Sequence, residues 1–250
     1  MTITRRTVLQ TFALVPLASA CGDNHAESTL PDGSTDGASG SCKRIASETA
    51  GPFPGDGTNG ANALTLAGIV RSDIRSSVGP ASATAPGVDL AMTFVLTDSA
   101  TCMPLVGYAV YVWQCDRATD YSMYTGAAQT ENYLRGVQVT DADGRVTFQT
   151  IFPGCYPGRW PHVHFEIYAS LGAATTGQNK VAVSQLAFPE DACTAAYATT
   201  GYETSVTNVA NVSIASDGVF RDDKASTQLA TMTGAIGADF TATLALSIAT

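Results

Sequence analysis

Two histidines separated by a single residue are the part of this sequence best suited to hold a metal. His162 and His164 flank Val163 in a run rich in β-branched and aromatic residues. In a β-strand, residues i and i+2 project from the same face, so the two imidazoles would lie side by side. The third histidine of the chain, His25, lies in the N-terminal segment. The pair therefore indicates a metal site, with two hydrogen-bonded strand histidines as the alternative.

Two tyrosines lie in loops and carry little functional signal of their own. Tyr156 lies in a segment bounded by proline and glycine that ends just before the histidine run, and Tyr121 follows another apolar run. Alone, each would be read as a surface or packing residue.

The elements that would position these residues are β-strands. Runs rich in Val, Ile, Thr and aromatic residues recur between clusters of turn residues, at 90–97, 108–114, 145–151, 162–168, 181–188 and 240–248. Asp141-Ala142-Asp143-Gly144 is typical of a hairpin turn. No long stretch shows the period of a helix. The pattern predicts an all-β domain built as a two-sheet β-sandwich, with another type of β-barrel left open.

The composition limits the classes of molecule that this protein is expected to bind. The chain has 250 residues, a formal net charge of −9 and 14% charged residues. A protein that binds the phosphates of a nucleic acid needs clustered lysine and arginine, so we expect no nucleic acid partner. A small molecule is the more natural ligand. The oligomeric state is left open.

The N-terminus predicts export. Arg5 and Arg6 precede an apolar run and a small-residue cleavage site, which indicates a twin-arginine signal over residues 1–20. Cleavage would expose Cys21 for a possible lipid anchor, and residues 21–41 resemble a flexible linker before a domain at 42–250. The expected location is periplasmic or on the cell surface. Six cysteines in an exported chain suggest disulfides whose pairing the sequence leaves open.

Several segments, in order, resemble the intradiol ring-cleavage dioxygenases, the family of catechol and protocatechuate dioxygenases. Residues 48–53 (ETAGPF) resemble an early family signature, and residues 113–122 resemble the segment with the first iron tyrosine. Residues 143–157 resemble the hairpin that leads to the second tyrosine. Residues 159–165 (RWPHVHF) resemble the segment with both iron histidines. Residues 184–189 (SQLAFP) resemble a strand that supplies a glutamine to the substrate pocket.

The resemblance implies a non-haem Fe(III) enzyme that cleaves a catechol-type ring with O₂ between its two hydroxylated carbons, giving a muconate-type diacid. It implies four metal ligands: Tyr121, Tyr156, His162 and His164. Tyr156 would be the ligand that departs and takes a substrate proton. Arg159 would stabilise negative charge on the activated substrate, and Gln185 would be a pocket amide.

Two departures from the family pattern leave alternatives open. Thr119 stands where the family commonly has glycine, so Tyr124 is the alternative to Tyr121 as the first tyrosine ligand. Only five residues separate Tyr156 from His162, so substrate-pocket residues are not transferred and the particular catechol stays open. The alternative functions are a non-catalytic β-sandwich that binds an aromatic ligand or a protein partner, and a zinc or copper site of the same shape.

Overall fold

Eight β-strands in two sheets form most of the regular structure, in a computed structural model that describes residues 42–250. The strands are β1 (Asp89–Asp98), β2 (Ala109–Trp113), β3 (Arg135–Val139), β4 (Arg145–Ile151), β5 (His162–Tyr168), β6 (Ala182–Ala187), β7 (Thr231–Ala235) and β8 (Ala238–Ile248). One sheet has the order β4-β1-β8-β7 and the other β3-β2-β5-β6. The predicted two-sheet β-sandwich is confirmed.

Three sequence predictions fall on residues 1–41: the export signal, the linker and the lipid-anchor candidate Cys21. These lie outside the described residues. Within residues 42–250, no helix has both the length and the hydropathy that crossing a bilayer requires.

The turn at 141–144 forms as predicted, but it does not close a hairpin. The Gly144 N–H donates to the Asp141 carbonyl, and Gly144 adopts a positive φ of 71°. However, β3 pairs with β2 whereas β4 pairs with β1. The turn therefore carries the chain from one sheet to the other, and the hairpin interpretation was wrong. A turn signal defines a local reversal, but the partner of each strand depends on contacts distant in sequence.

Short helices were not predicted. The chain forms α1 (Glu190–Tyr197) and α2 (Glu203–Val209), together with 3₁₀ turns at Gly126–Ala128, Leu171–Ala173 and Gly177–Asn179. With eight and seven residues, the two α-helices are too short for a helical period to stand out in the sequence. They pack against the sandwich through buried residues such as Ala196 and Ser205.

The space between the sheets holds the main hydrophobic core. Phe94 of β1 lies 5.0 Å from Phe165 of β5 between ring centroids, and 6.4 Å from Phe148 of β4. Val163 and Ile167 belong to the same core. The residues of β5 that alternate with this set therefore face away from the space between the sheets.

That outer face of the second sheet is also buried, beneath the irregular segment 43–88. A second hydrophobic cluster joins outer-face residues of β2 and β5 to residues of this segment: Ala109, Tyr111, Trp113, Tyr168, Ala63, Leu64 and Ile69. The segment forms single bridges to both neighbouring edge strands, at Val70–Val137 and Asp73–Gln149. Because of this cover, β5 is buried along its whole length, and polar side chains on its outer face are shielded from water.

A disulfide links Cys42 to Cys102 across 60 residues of chain, while Cys115, Cys155 and Cys193 are free and buried. The bond attaches the start of the irregular segment to the loop after β1. Such a link stabilises a protein mainly by reducing the conformational freedom of the unfolded chain, and more so for a long loop.

We expect the double variant Cys42→Ser, Cys102→Ser to lose about 2–4 kcal/mol of unfolding free energy, because the unfolded chain regains the freedom of this loop. Urea denaturation with and without a thiol reductant measures the effect. Reductant should lower the stability of the wild type and leave the variant unchanged. A wild-type protein insensitive to reductant would count against the bond.

Candidate metal centre

Strand β5 places both histidines on its buried outer face. His162 and His164 are each 2% exposed. The His164 ring stacks on Trp113 of β2, with 5.0 Å between centroids and 4° between planes. Gly51 lies against the other side of this histidine, since a Cβ atom there would come within 3.1 Å of His164 Cε1. The rings are therefore held by packing on strands rather than by a loop.

The two tyrosines come from loops that are fastened to the sandwich. The backbone of Cys155, next to Tyr156, is held by α2: its N–H donates to Ser205 Oγ at 2.9 Å, and its carbonyl accepts from Asn208 Nδ2 at 2.7 Å. The Tyr121 N–H donates to Thr125 Oγ1 at 2.8 Å. Thr119, at the position where the resembling family commonly has glycine, adopts the left-handed conformation that glycine favours, with φ of 77°.

Four side-chain donor atoms meet at one place. Tyr121 Oη lies 3.5 Å from Tyr156 Oη, which lies 3.1 Å from His162 Nε2, and the two histidine Nε2 atoms are 3.2 Å apart. Ligands bonded to one metal at about 2.1 Å in adjacent positions are separated by about 3 Å, so these distances suit a shared ion. Tyr124 is not part of this group, because its hydroxyl donates to Asn59 Oδ1 and accepts from the Gly55 N–H.

The protonation states also suit metal ligation by the histidines. Burial, together with the charge of Arg159, lowers the pKa of His162 to about 3, and burial lowers that of His164 well below its usual value. Both imidazoles are therefore neutral. His162 Nδ1 lies 2.6 Å from the Trp160 carbonyl, which can only accept, so the proton is on Nδ1 and the Nε2 lone pair faces the tyrosines.

The tyrosines need a cation to ionise. Burial raises the pKa of Tyr156 to about 12 and that of Tyr121 well above its usual value. In the described part of the chain, no group of three or more His, Cys, Asp or Glu side chains is arranged to hold a metal ion. A metal at the histidine pair would therefore use the phenol oxygens, a donor set that fits Fe(III) better than zinc.

Arg135 connects the loops that surround this centre. The residue is fully buried, and all five of its N–H groups donate hydrogen bonds. The acceptors are the Phe53, Pro54 and Ser122 carbonyls, Ser122 Oγ and Tyr111 Oη. Ser122 directly follows Tyr121, and Phe53 lines the cavity in front of the tyrosines. One guanidinium thus determines the spacing between the Tyr121 loop and the 52–55 loop.

Arg159 and Gln185 also lie together beside the centre. Arg159 Nη2 donates to Gln185 Oε1 at 2.6 Å, and Nε forms an ion pair with the buried Asp217 at 2.9 Å. Asp217 also accepts from the N–H groups of Trp160, Val219 and Phe220. Burial alone would raise the pKa of Asp217, but these backbone hydrogen bonds and the Arg159 charge outweigh it and lower that pKa.

A cavity of about 430 Å³ opens in front of Tyr121, Tyr156 and Arg159. Its other lining residues are Pro52, Phe53, Thr119, Asp120 and Thr125. Cavities of this size hold drug-sized ligands, and apolar walls with a few polar groups are usual in small-molecule sites. An aromatic ligand in this cavity would thus lie against both tyrosines.

Comparisons with known proteins identify the family. A family model described as a dioxygenase matches residues 71–218, more than half of the chain. Among solved structures, an intradiol ring-cleavage dioxygenase from Tetranychus urticae is similar over 83% of this chain and 95% of that chain, with 26% identity and a TM-score of 0.66.

The chain belongs to the intradiol ring-cleavage dioxygenase family. A 3-chlorocatechol 1,2-dioxygenase from Rhodococcus opacus 1CP shares the fold, with 16% identity, a TM-score of 0.51 and coverage of 82% of this chain and 72% of that chain. A comparison with curated protein sequences finds no match. The predicted family is confirmed, and it supports catechol-type ring cleavage in general terms; the family generally uses non-haem iron.

Sequence reasoning missed two residues that position the site of this family member. Arg135 lies at the start of β3, a strand that was not predicted, and no motif distinguishes it from an exposed arginine. Asp217 lies 58 residues after its partner Arg159, in a segment without periodicity. Neither carries a local signal, because both act through contacts that only the folded chain makes.

We expect Asp217→Asn to lower the free energy of unfolding by about 2 kcal/mol at neutral pH, because it removes a buried charge paired with Arg159. Folding lowers the pKa of this carboxyl. Its contribution is therefore present above the unfolded pKa of about 3.9 and is lost as the pH falls through the folded pKa. Urea denaturation between about pH 7 and pH 3 should show the difference between the two proteins shrinking below about pH 4.

Asp143→Asn, which changes an exposed turn carboxylate, is the control and should change the stability little at any of these pH values. If the decrease in unfolding free energy caused by Asp217→Asn stays constant down to about pH 3, this account of the ion pair is contradicted.

We expect Arg135→Lys to lower the free energy of unfolding by about 3 kcal/mol, because a lysine retains the charge but cannot reach five acceptors at once. The matched control is Arg145→Lys, an exposed arginine at the start of β4, which should be nearly neutral. Thermal and urea unfolding measure both. Equal stability of the two variants would show that the five hydrogen bonds do not hold the loops.

Proposed function

We propose that this protein is a non-haem Fe(III) dioxygenase that cleaves a catechol-type ring between its two hydroxylated carbons. The reaction incorporates both atoms of O₂ and gives a muconate-type diacid. The observation that supports it most directly is the meeting of two phenol oxygens and two imidazole nitrogens within 3.1–3.5 Å of their neighbours, in a chain of the intradiol family.

The ligands in this proposal are Tyr121, Tyr156, His162 and His164. Fe(III), when bound, supplies Lewis-acid activation of the catechol. His162 presents the lone pair of its Nε2 without first losing a proton, because its Nδ1 donates to the Trp160 carbonyl. Tyr124 is not in this proposed set; the hydrogen bonds of its hydroxyl with Asn59 and Gly55 support that choice.

Two side chains act on the substrate in this proposal, and a third positions one of them. Tyr156 lines the cavity. As a metal ligand it would be a phenolate, and the burial that raises its pKa to about 12 would make that phenolate basic enough to take a proton from a catechol hydroxyl. Arg159, held rigid by Asp217, is placed to stabilise negative charge on the ring. Gln185 positions Arg159 from the other side, and its Nε2 donates to the Thr49 carbonyl at 2.9 Å.

We also propose that the enzyme works outside the cytoplasm. The support is the twin-arginine pattern with its apolar run in residues 1–20, and the disulfide between Cys42 and Cys102. Disulfides persist in oxidising compartments and are rare in the cytosol. A lipid on a new N-terminal Cys21 would keep the domain at the cell surface; mass measurement of the mature N-terminus in cell fractions tests this.

We expect protein loaded with Fe(III) to be red-brown, because electron transfer from a tyrosinate to Fe(III) absorbs visible light. Tyr121→Phe, Tyr156→Phe and His162→Ala should each bleach or shift this band and lower iron affinity or activity by at least about 100-fold, since even outer partners of metal ligands contribute 10–100-fold. Absorption spectra, iron content and oxygen uptake with catechols measure these effects, with mass analysis of the ring-opened product.

Tyr124→Phe is the matched control, since it removes a phenol oxygen from the same loop without touching the four-donor group. It should keep the colour and the iron. Full metal occupancy without colour, or retained colour in all three ligand variants, would reject the Fe(III) assignment. Coloured protein that consumes no catechol would favour the alternative of a non-catalytic binding module.

A further inference from the structure

The wall of the cavity carries an uncompensated negative charge. Asp120 lines the cavity beside Tyr121, and no lysine or arginine within residues 42–250 forms an ion pair with it. Arg159 is the one lysine or arginine among the lining residues, and its charge is already offset by the buried Asp217. Besides the proposed metal and the Asp217-paired Arg159, a ligand in this cavity therefore meets one carboxylate that has no paired lysine or arginine.

Hydrogen bonds and packing hold the Asp120 side chain and backbone in place. Asp120 Oδ2 accepts a hydrogen bond from the Ala127 N–H at 3.1 Å. Gly126 lies directly against it, since a Cβ atom at Gly126 would come within 2.0 Å of Asp120 Oδ2. The Asp120 N–H donates to Asp116 Oδ1 at 3.0 Å, which fastens the backbone as well. The carboxylate of this lining residue is thus held in one position.

We propose that Asp120 is a specificity-determining residue that selects against catechols bearing an anionic substituent, and in favour of those whose substituent is uncharged or cationic. This inference rests on the proposed function, because it concerns the substrate of the same site. A substituent carboxylate would meet repulsion from Asp120 without a compensating partner, whereas an ammonium group would be attracted. The remaining wall, with Pro52 and Phe53, suits apolar substituents.

Three probes with the same catechol ring test the proposal: 4-methylcatechol, 3,4-dihydroxybenzoate and 4-(2-aminoethyl)catechol. For iron-loaded wild type and Asp120→Asn, kcat/KM is measured for each probe, and each charged probe is expressed relative to 4-methylcatechol. Asparagine keeps the shape and can still accept from Ala127. In Asp120→Asn, the kcat/KM ratio for 3,4-dihydroxybenzoate should rise about fivefold. The ratio for 4-(2-aminoethyl)catechol should fall by a similar factor.

The control for the net charge of the chain is Asp143→Asn. This residue lies in the turn between β3 and β4, at the far end of both strands from Arg135 and Tyr156. Both ratios should stay at their wild-type values in this variant. Raising the salt from about 0.02 M to about 0.5 M should weaken the discrimination in wild type and change it little in Asp120→Asn, because salt screens exposed charges.

Ratios that are equal in wild type and Asp120→Asn would overturn the proposal, as would ratios that shift in the same direction for both charged probes. Dissociation constants measured without O₂, from the change in the iron absorption band, separate this result from failure of the reaction itself. If the probes bind but none is cleaved, the proposed reaction is wrong, while the binding ratios still decide the role of Asp120.

Discussion

A buried guanidinium that uses all five of its N–H groups connects the parts of this structure that matter for function. Arg135 forms no ion pair with a carboxylate in residues 42–250; its acceptors are carbonyls and hydroxyls of three separate segments. Leaving any of these buried groups unpaired costs free energy. The Tyr121 loop and the 52–55 loop can therefore hold only the spacing that the guanidinium allows. Gly55 is part of the same constraint, because a side chain there would collide with Arg135 Nη1.

The centre is shielded from water because both faces of the sheet that contains β5 are buried. Strand β5 contributes Val163, Phe165 and Ile167 to the core between the sheets, and its histidines to the opposite face. That face would be solvent-exposed in a bare two-sheet sandwich. Here the irregular segment 43–88 covers it, so that the imidazoles lose water, stay neutral and stack on Trp113. Burial of the second face is thus the condition for a site with ligands of this kind.

Two cations near the centre are matched by carboxylates, whereas Arg135 is satisfied by carbonyls and hydroxyls. Arg159 is matched by Asp217, and Lys180 by Glu166 and Asp56 on the same outer face. Pairing reduces the free-energy cost of holding these groups away from water. Asp120 is the carboxylate at the cavity wall that has no such partner.

The amino-acid sequence by itself determined every strand except β3 and β7, the spacing that places His162 and His164 on one face, and the motifs that resemble the family. These are local properties: period-two alternation and turn residues act over a few neighbouring positions. Only the tertiary structure showed that Tyr121, and not Tyr124, lies beside Tyr156. It also determined the disulfide pairing, the passage of the chain from one sheet to the other at residues 141–144, and the contacts of Arg135 and Asp217. Each of these depends on groups that are distant along the chain and meet only after the sheets pack, so no short stretch of sequence contains them.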